Sequence, residues 1–147
     1  MRVYPFPTLK QSFGVKKIID VRQLMEDWKP LGNPIATYLE RPIGSRDVKA
    51  ARGMQDAFAT VRSLLKLLGC HTVYITPQSW QKTYWVKPRE AGPEWDTKKI
   101  ALSIANQRFP DQNFLASKRS YVPHDGMVDA ALIADNCRRN HNPRPRL

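Results

Sequence analysis

Residues 61–77 read VRSLLKLLGCHTVYITP, and the change of pattern inside this stretch decides the fold class. Its first half continues an apolar stripe of Met54, Ala57, Phe58, Val61, Leu64, Leu65 and Leu68, spaced by three and four. That period belongs to one face of a long α-helix. Gly69 stands where such a helix closes, because glycine takes a left-handed terminal turn without a steric cost. Thr72-Val73-Tyr74-Ile75 is then a run of β-branched and aromatic side chains, stopped by Pro77. A helix hands over to a strand.

The same alternation extends outward. Upstream, Ile35-Ala36-Thr37-Tyr38-Leu39 is a second β-prone run that stops at Glu40. Asp20 precedes Val21, Leu24, Met25 and Trp28, an N-cap before an amphipathic helix that ends in Lys29–Pro34. Arg2–Phe6 reads as an edge strand limited by Pro5 and Pro7. Residues 44–53 read as a polar, basic connection. Downstream, residues 86–96 carry Pro88, Gly92 and Pro93 and read as an irregular excursion. Thr97 is placed as the cap of a third helix, with Ile100, Ile104, Ala105 and Phe109 inside and Pro110 at its end. HDGMVDAALIADN, residues 124–136, is the fourth helix. Residues 137–147 read as a basic, disordered tail. The order strand, helix, strand, helix, strand, helix, helix argues for an α/β layer with at least one parallel strand pair. Both internal strands are short and apolar, as strands covered on both faces are.

A chain of 147 residues suggests one domain with a core of its own. Apolar residues make up 41%, which places it among globular chains. Lys and Arg number 24 against 13 Asp and Glu, a net charge of +11. The partner implied is a polyanion, nucleic acid before an anionic membrane. No apolar run is long enough to span a bilayer, and no amphipathic Lys/Arg-faced helix of the membrane-surface type is present. The start, MRVYPFPTLK, lacks the apolar core of a signal peptide. Cys70 and Cys137 give neither a disulfide framework nor a metal spacing, and read as packing residues of a reducing compartment.

Ligands of open α/β sheets bind at the carboxyl ends of the strands, where Glu40 stands between Leu39 and Arg41. Asp125 and Asp129 lie four apart on the fourth helix, a like-charge spacing that costs a helix roughly 0.2–0.5 kcal/mol. A divalent cation removes the repulsion among converging carboxylates, and hard oxygen ligands suit magnesium or manganese. Two ions ~3.5–4 Å apart serve phosphodiester hydrolysis, activating a water and stabilising the leaving oxygen. A structural reading stands beside this one. Asp125 caps the helix, Asp129 favours its dipole, and Glu40 pairs with Arg41 or a lysine. Spacing leaves both open.

Four blocks, in order, resemble the RuvC-like Holliday junction resolvases, especially their phage and plastid branch. ATYLERP (36–42) resembles the strand ending in the catalytic glutamate, and VRSLLKLLGCHTVYITPQSWQKTYW (61–85) the long helix, the next strand and a P-x-x-W-x-K segment. DTKKIALSIANQRFP (96–110) resembles the lysine-bearing helix, and HDGMVDAALIA (124–134) the C-terminal helix with two acids before an Ala/Leu/Ile run. The resemblance covers residues 1–136 and implies an RNase H-like fold, a mixed sheet flanked by helices. It implies a magnesium-dependent endonuclease that resolves four-way DNA junctions, with manganese substituting. The metal ligands it implies are Glu40, Asp125 and Asp129. His124 is a candidate for assisting the water, against an exposed loop histidine. Lys98 or Lys99 is a candidate for approaching the scissile phosphate, against a solvated helix face. Further implications are a homodimer, branched double-stranded DNA as partner, no membrane, and the cytoplasm of a bacterial or phage-infected cell, or an organellar nucleoid in a eukaryote.

The resemblance departs at the start. The family opens with a central strand of the type G-x-D, whose Asp is the first metal ligand, followed by a second strand. Met1 falls where the third would lie, and Asp20 matches a helix-capping position instead. The expectation is a truncated open reading frame, or a relative that fills the gap with a partner and lacks full activity alone. A non-catalytic nucleic-acid-binding module on the same fold is the alternative.

DNA contact is expected from Arg41, Arg46, Lys49 and Arg52 after Glu40, and from Lys82, Lys87, Lys98, Lys99, Lys118 and Arg119. None forms a base-reading motif, so binding should weaken steeply with salt. Trp80 and Trp85 read as packing residues first and as base-stacking platforms second.

Overall fold

The computed structural model describes residues 7–10, 17–32, 36–44 and 47–141. They form two compact units, one within residues 6–77 and the other within residues 78–147.

The first unit opens with a hairpin. Strands β1 (Thr8–Lys10) and β2 (Lys17–Ile19) pair antiparallel, with Thr8 opposite Ile19. Asp20 then turns the chain into helix α1 (Val21–Trp28), its carboxylate accepting from the Gln23 amide at 3.1 Å. Leu24 is the residue α1 buries. Pro30 lies in a 3-10 turn over Lys29–Leu31, and Gly32, at φ 69°, completes the exit.

Strand β3 (Thr37–Glu40) pairs parallel with β4 (Thr72–Ile75), from Thr37 opposite Thr72 to Glu40 opposite Ile75. Parallel neighbours need a long crossover, and helix α2 (Val48–Leu67) supplies it. Val61, Leu64 and Leu65 are the fully buried part of its stripe, and Phe58 meets Tyr74 of β4 with ring centroids 6.0 Å apart. The helix closes in a Schellman arrangement: the Cys70 amide donates to Leu65 and the Gly69 amide to Lys66, with Gly69 at φ 67°.

The second unit holds helices α3 (Pro77–Gln81), α4 (Thr97–Arg108) and α5 (Asp125–His141). Trp80 is 1% exposed and meets Trp85 edge-on at 5.8 Å, so it packs rather than offering a stacking platform. Helix α4 presents the small residues Ala101 and Ala105 inward and packs against α5, which buries Met127, Val128, Ala131 and Leu132.

The buried stripe of α5 ends on a charge. Asp135 follows Ala131 by one turn and is 2% exposed. Its Oδ1 accepts from Arg138 Nη2 at 2.9 Å. Its Oδ2 accepts from Arg139 Nε at 2.9 Å and from the Tyr84 hydroxyl at 3.0 Å, and lies 3.4 Å from Arg108 Nη1. The same hydroxyl reaches the Leu132 carbonyl at 2.8 Å. Burial first, then the Asp135 charge and hydrogen bond, push the Tyr84 phenol above the usual tyrosine range.

Several expectations change. Residues 48–53 are helical rather than a connection. The Asp47 carboxylate accepts from the Lys49 and Ala50 amides, starting α2 six residues before its stripe. The cap of α4 is Asp96, accepting from Lys98 and Lys99, and Thr97 is the first helical residue. Residues 137–141 belong to α5, not to a disordered tail, because Asp135 and Asn136 tie the side chains of Arg138, Arg139 and Asn140 along the last turn. Among the described residues the strands form two separate two-stranded sheets, where one mixed sheet was expected. The β1–β2 hairpin and α3 were not anticipated. The strand expected at Arg2–Phe6, and residues 142–147, lie outside the described residues. The cysteines form no disulfide and are half-buried, as packing residues are, and burial pushes the Cys137 thiol upward.

Two outcomes follow from this packing. Leu132, 0% exposed, should lose about 2–5 kcal/mol on change to Ala, read from urea unfolding. Tyr84 binds its proton more tightly folded than unfolded, so stability should fall as pH rises past the ordinary phenol range. In an alkaline absorbance titration of the folded chain, Tyr84→Phe should ionise as many phenols as the wild type.

Candidate functional site

The first turn of α4 and the first turn of α5 meet through one ion pair. Asp96 caps α4 and so fixes where Lys98 and Lys99 begin. Lys98 Nζ lies 2.6 Å from Asp125 Oδ2, and both side chains are exposed. The Lys98 ammonium is held above the usual lysine range. The hydrogen bond to Asp125 is the main cause and the charge of that carboxylate the next, with Asp96 and Asp129 adding against the opposing effect of burial. One cation thus sits in the field of Asp96, Asp125 and Asp129.

His124 holds the N-cap position of α5. Its carbonyl accepts from the Met127 and Val128 amides, and its own amide donates to Phe114 at 2.8 Å. Asp125 therefore lies inside the first turn. The structural reading of Asp125 as the cap does not hold, while a carboxylate in the first turn still favours the helix dipole. The His124 ring folds back over Gly126: a Cβ added there would stand 3.2 Å from His124 Cε1 and 3.4 Å from Nδ1. The missing side chain at Gly126 is what allows that ring position.

Glu40 closes β3 at its carboxyl end and is half-buried. Arg41, the next residue, donates its amide to Ile75 and lays its guanidinium 5.3 Å over the Tyr74 ring. Glu40 belongs to the first unit and Asp125 and Asp129 to the second. Among the described residues no group of three or more His, Cys, Asp or Glu could hold a metal ion. What the structure brings together is Lys98 with Asp125, within the field of Asp129, beside His124. Asp125 and Asp129 stand one helical turn apart on α5, and Lys98 pairs with Asp125.

The basic residues are spread over both units. Lys49 and Arg52 lie exposed on the first turns of α2. Lys82 and Lys87 are exposed after α3, and Lys99 is exposed 4.0 Å from Asp96. Lys118 and Arg119 lie in a turn where the Arg119 amide donates to Ser117 Oγ. Arg46 lies outside the described residues.

Sequence reading passed over Arg108, Arg138 and Arg139 around Asp135. A signal was there: an acid in register with Val128, Ala131 and Leu132, followed by arginines three and four residues later.

The sequence matches no protein-family model, and no curated protein matches it. Among the described residues no helix is long and apolar enough to cross a membrane.

Gly126→Ala tests the local geometry. The methyl group forces the exposed His124 ring aside, while helix propensity favours Ala by up to about 1 kcal/mol. The His124 ring-proton shifts should move in NMR, and urea stability should stay equal or rise.

Proposed function

We propose that the chain is the core of a RuvC-like, magnesium-dependent, structure-selective endonuclease that hydrolyses phosphodiesters at four-way DNA junctions, acting as a homodimer. The observation that carries this reading is the Lys98–Asp125 pair, 2.6 Å apart, with Asp129 one turn further along α5. A carboxylate and a lysine meet at an exposed helix start, with a second carboxylate one turn on, in the blocks that resemble the family. The parallel β3–β4 pair, crossed by α2 and with Glu40 at a strand end, supports the α/β frame.

In this reading Asp125 and Asp129 hold a magnesium or manganese ion, with Glu40 the third ligand that the resemblance implies. When bound, such an ion lowers the pKa of water and neutralises charge on the phosphoryl oxygens. Lys98 would leave Asp125 for a phosphate oxygen. His124, whose amide donates to the Phe114 carbonyl, would take a proton from the attacking water. The net reaction consumes one water for each strand nicked.

A second reading has an observation of its own. Lys98 neutralises Asp125 without any metal, as a non-catalytic nucleic-acid-binding module would require. Incubating the chain with a labelled four-way junction and magnesium separates the two. The nuclease reading expects nicks that fall roughly a hundredfold or more in Asp125→Asn and in Glu40→Gln. Salt-sensitive binding without cleavage in either magnesium or manganese would leave the module.

A further inference from the structure

Asp135 balances one charge, yet three guanidiniums gather on it. Arginine keeps its proton throughout the accessible pH range, so the cluster carries an excess of two positive charges. Two of the three guanidiniums also lie over one ring: Arg108 is 5.3 Å and Arg139 5.8 Å from the Tyr84 centroid. The Tyr84 hydroxyl, bonded to Asp135 and to the Leu132 carbonyl, fixes that ring. The arginines are thereby oriented, but they are not consumed. Their side chains remain 65% (Arg138), 40% (Arg139) and 35% (Arg108) exposed. Each guanidinium has five N–H donors, and the hydrogen bonds to Asp135 use few of them.

The ends of α4 and α5 offer one reason for cations here, since Arg108 lies in the last turn of α4 and the other two in the last turn of α5. A helix C-terminus favours a single positive charge by about 0.3–1 kcal/mol. That does not call for three arginines sharing one buried acid.

We infer that Arg108, Arg138 and Arg139, held on Asp135 and Tyr84, form a phosphate clamp for a nucleic-acid backbone. Planar guanidinium forks pair two-to-two with phosphate oxygens, and forks already locked in place lose less side-chain freedom on binding. The net charge of +11 makes a polyanion the complementary partner. The excess of two charges suits successive phosphates of one strand. The inference rests on the nucleic-acid half of the reading above and does not require cleavage. Asp135 and Tyr84 are positioning residues.

The test is anisotropy binding of a labelled DNA duplex to the full chain, with chelator present and salt varied. Arg138→Gln, the most exposed change, should weaken binding and flatten the log–log salt slope by about 0.9. Arg138→Gln/Arg139→Gln should flatten it by roughly 1.8 and lower affinity at least about tenfold. Arg138→Lys should keep the slope, because the charge stays, and still lose affinity, because the fork is gone. Arg62→Gln, which removes the same charge from α2, should keep the wild-type slope. A folded Arg138→Gln protein with wild-type affinity and slope would overturn the clamp and leave the arginines as a latch between helices. Equal flattening by Arg62→Gln would overturn it too, since net charge alone would then account for the effect. Because no metal is present, a failed cleavage assay leaves this result untouched, and a failed clamp leaves the nuclease assay untouched.

Discussion

The second unit depends on how Asp135 is kept charged inside the packed face of α5. A carboxylate removed from water costs several kcal/mol, roughly, unless charge and hydrogen bonds replace the water. Here Tyr84, Arg108, Arg138 and Arg139 replace it, and they come from three places in the chain: the segment after α3, the end of α4 and the end of α5. The acid therefore fastens these elements to one another more specifically than the apolar stripe of Met127, Val128, Ala131 and Leu132 does alone. Apolar packing tolerates sliding between neighbouring residues of similar shape. A buried carboxylate with three hydrogen-bond donors and a further guanidinium tolerates little.

The other end of the same helix pair carries the opposite arrangement. At the start of α5 one ammonium faces several carboxylates. At its last turn one carboxylate faces several guanidiniums. Ala101 and Ala105 let α4 lie against α5, so both charge groups form along a single interface.

The first unit rests on a different constraint. Two parallel strands cannot be joined by a tight turn, and α2 is the connection that lets β3 and β4 lie side by side. Asp47 at one end and the Gly69 turn at the other set its length. That places Glu40 at the carboxyl end of β3, opposite Ile75.

Local chemistry determined much of this. The stripe from Ala57 to Leu68, the β-branched run Thr72–Ile75, the stop at Glu40 and the cap at Asp20 are all written in spacings of a few residues and form as read, whereas Met54, read as the first residue of that stripe, is exposed. Asp47 and Asp96 were equally local, but each competes with neighbours that also cap helices, and the choice depends on where the helix is tied down. The parallel pairing followed from the order of elements, whereas the division of the strands into two small sheets did not, because strand pairing joins residues far apart in sequence. The pairing of Lys98 with Asp125 and of Arg108 with Asp135 spans 27 residues in each case (125 − 98; 135 − 108). No periodicity records such a contact. The sequence by itself supplied the acids, the lysines and the arginines; only the packing of α4 on α5 decided which of them meet, because that depends on two alanines small enough to bring the helices together.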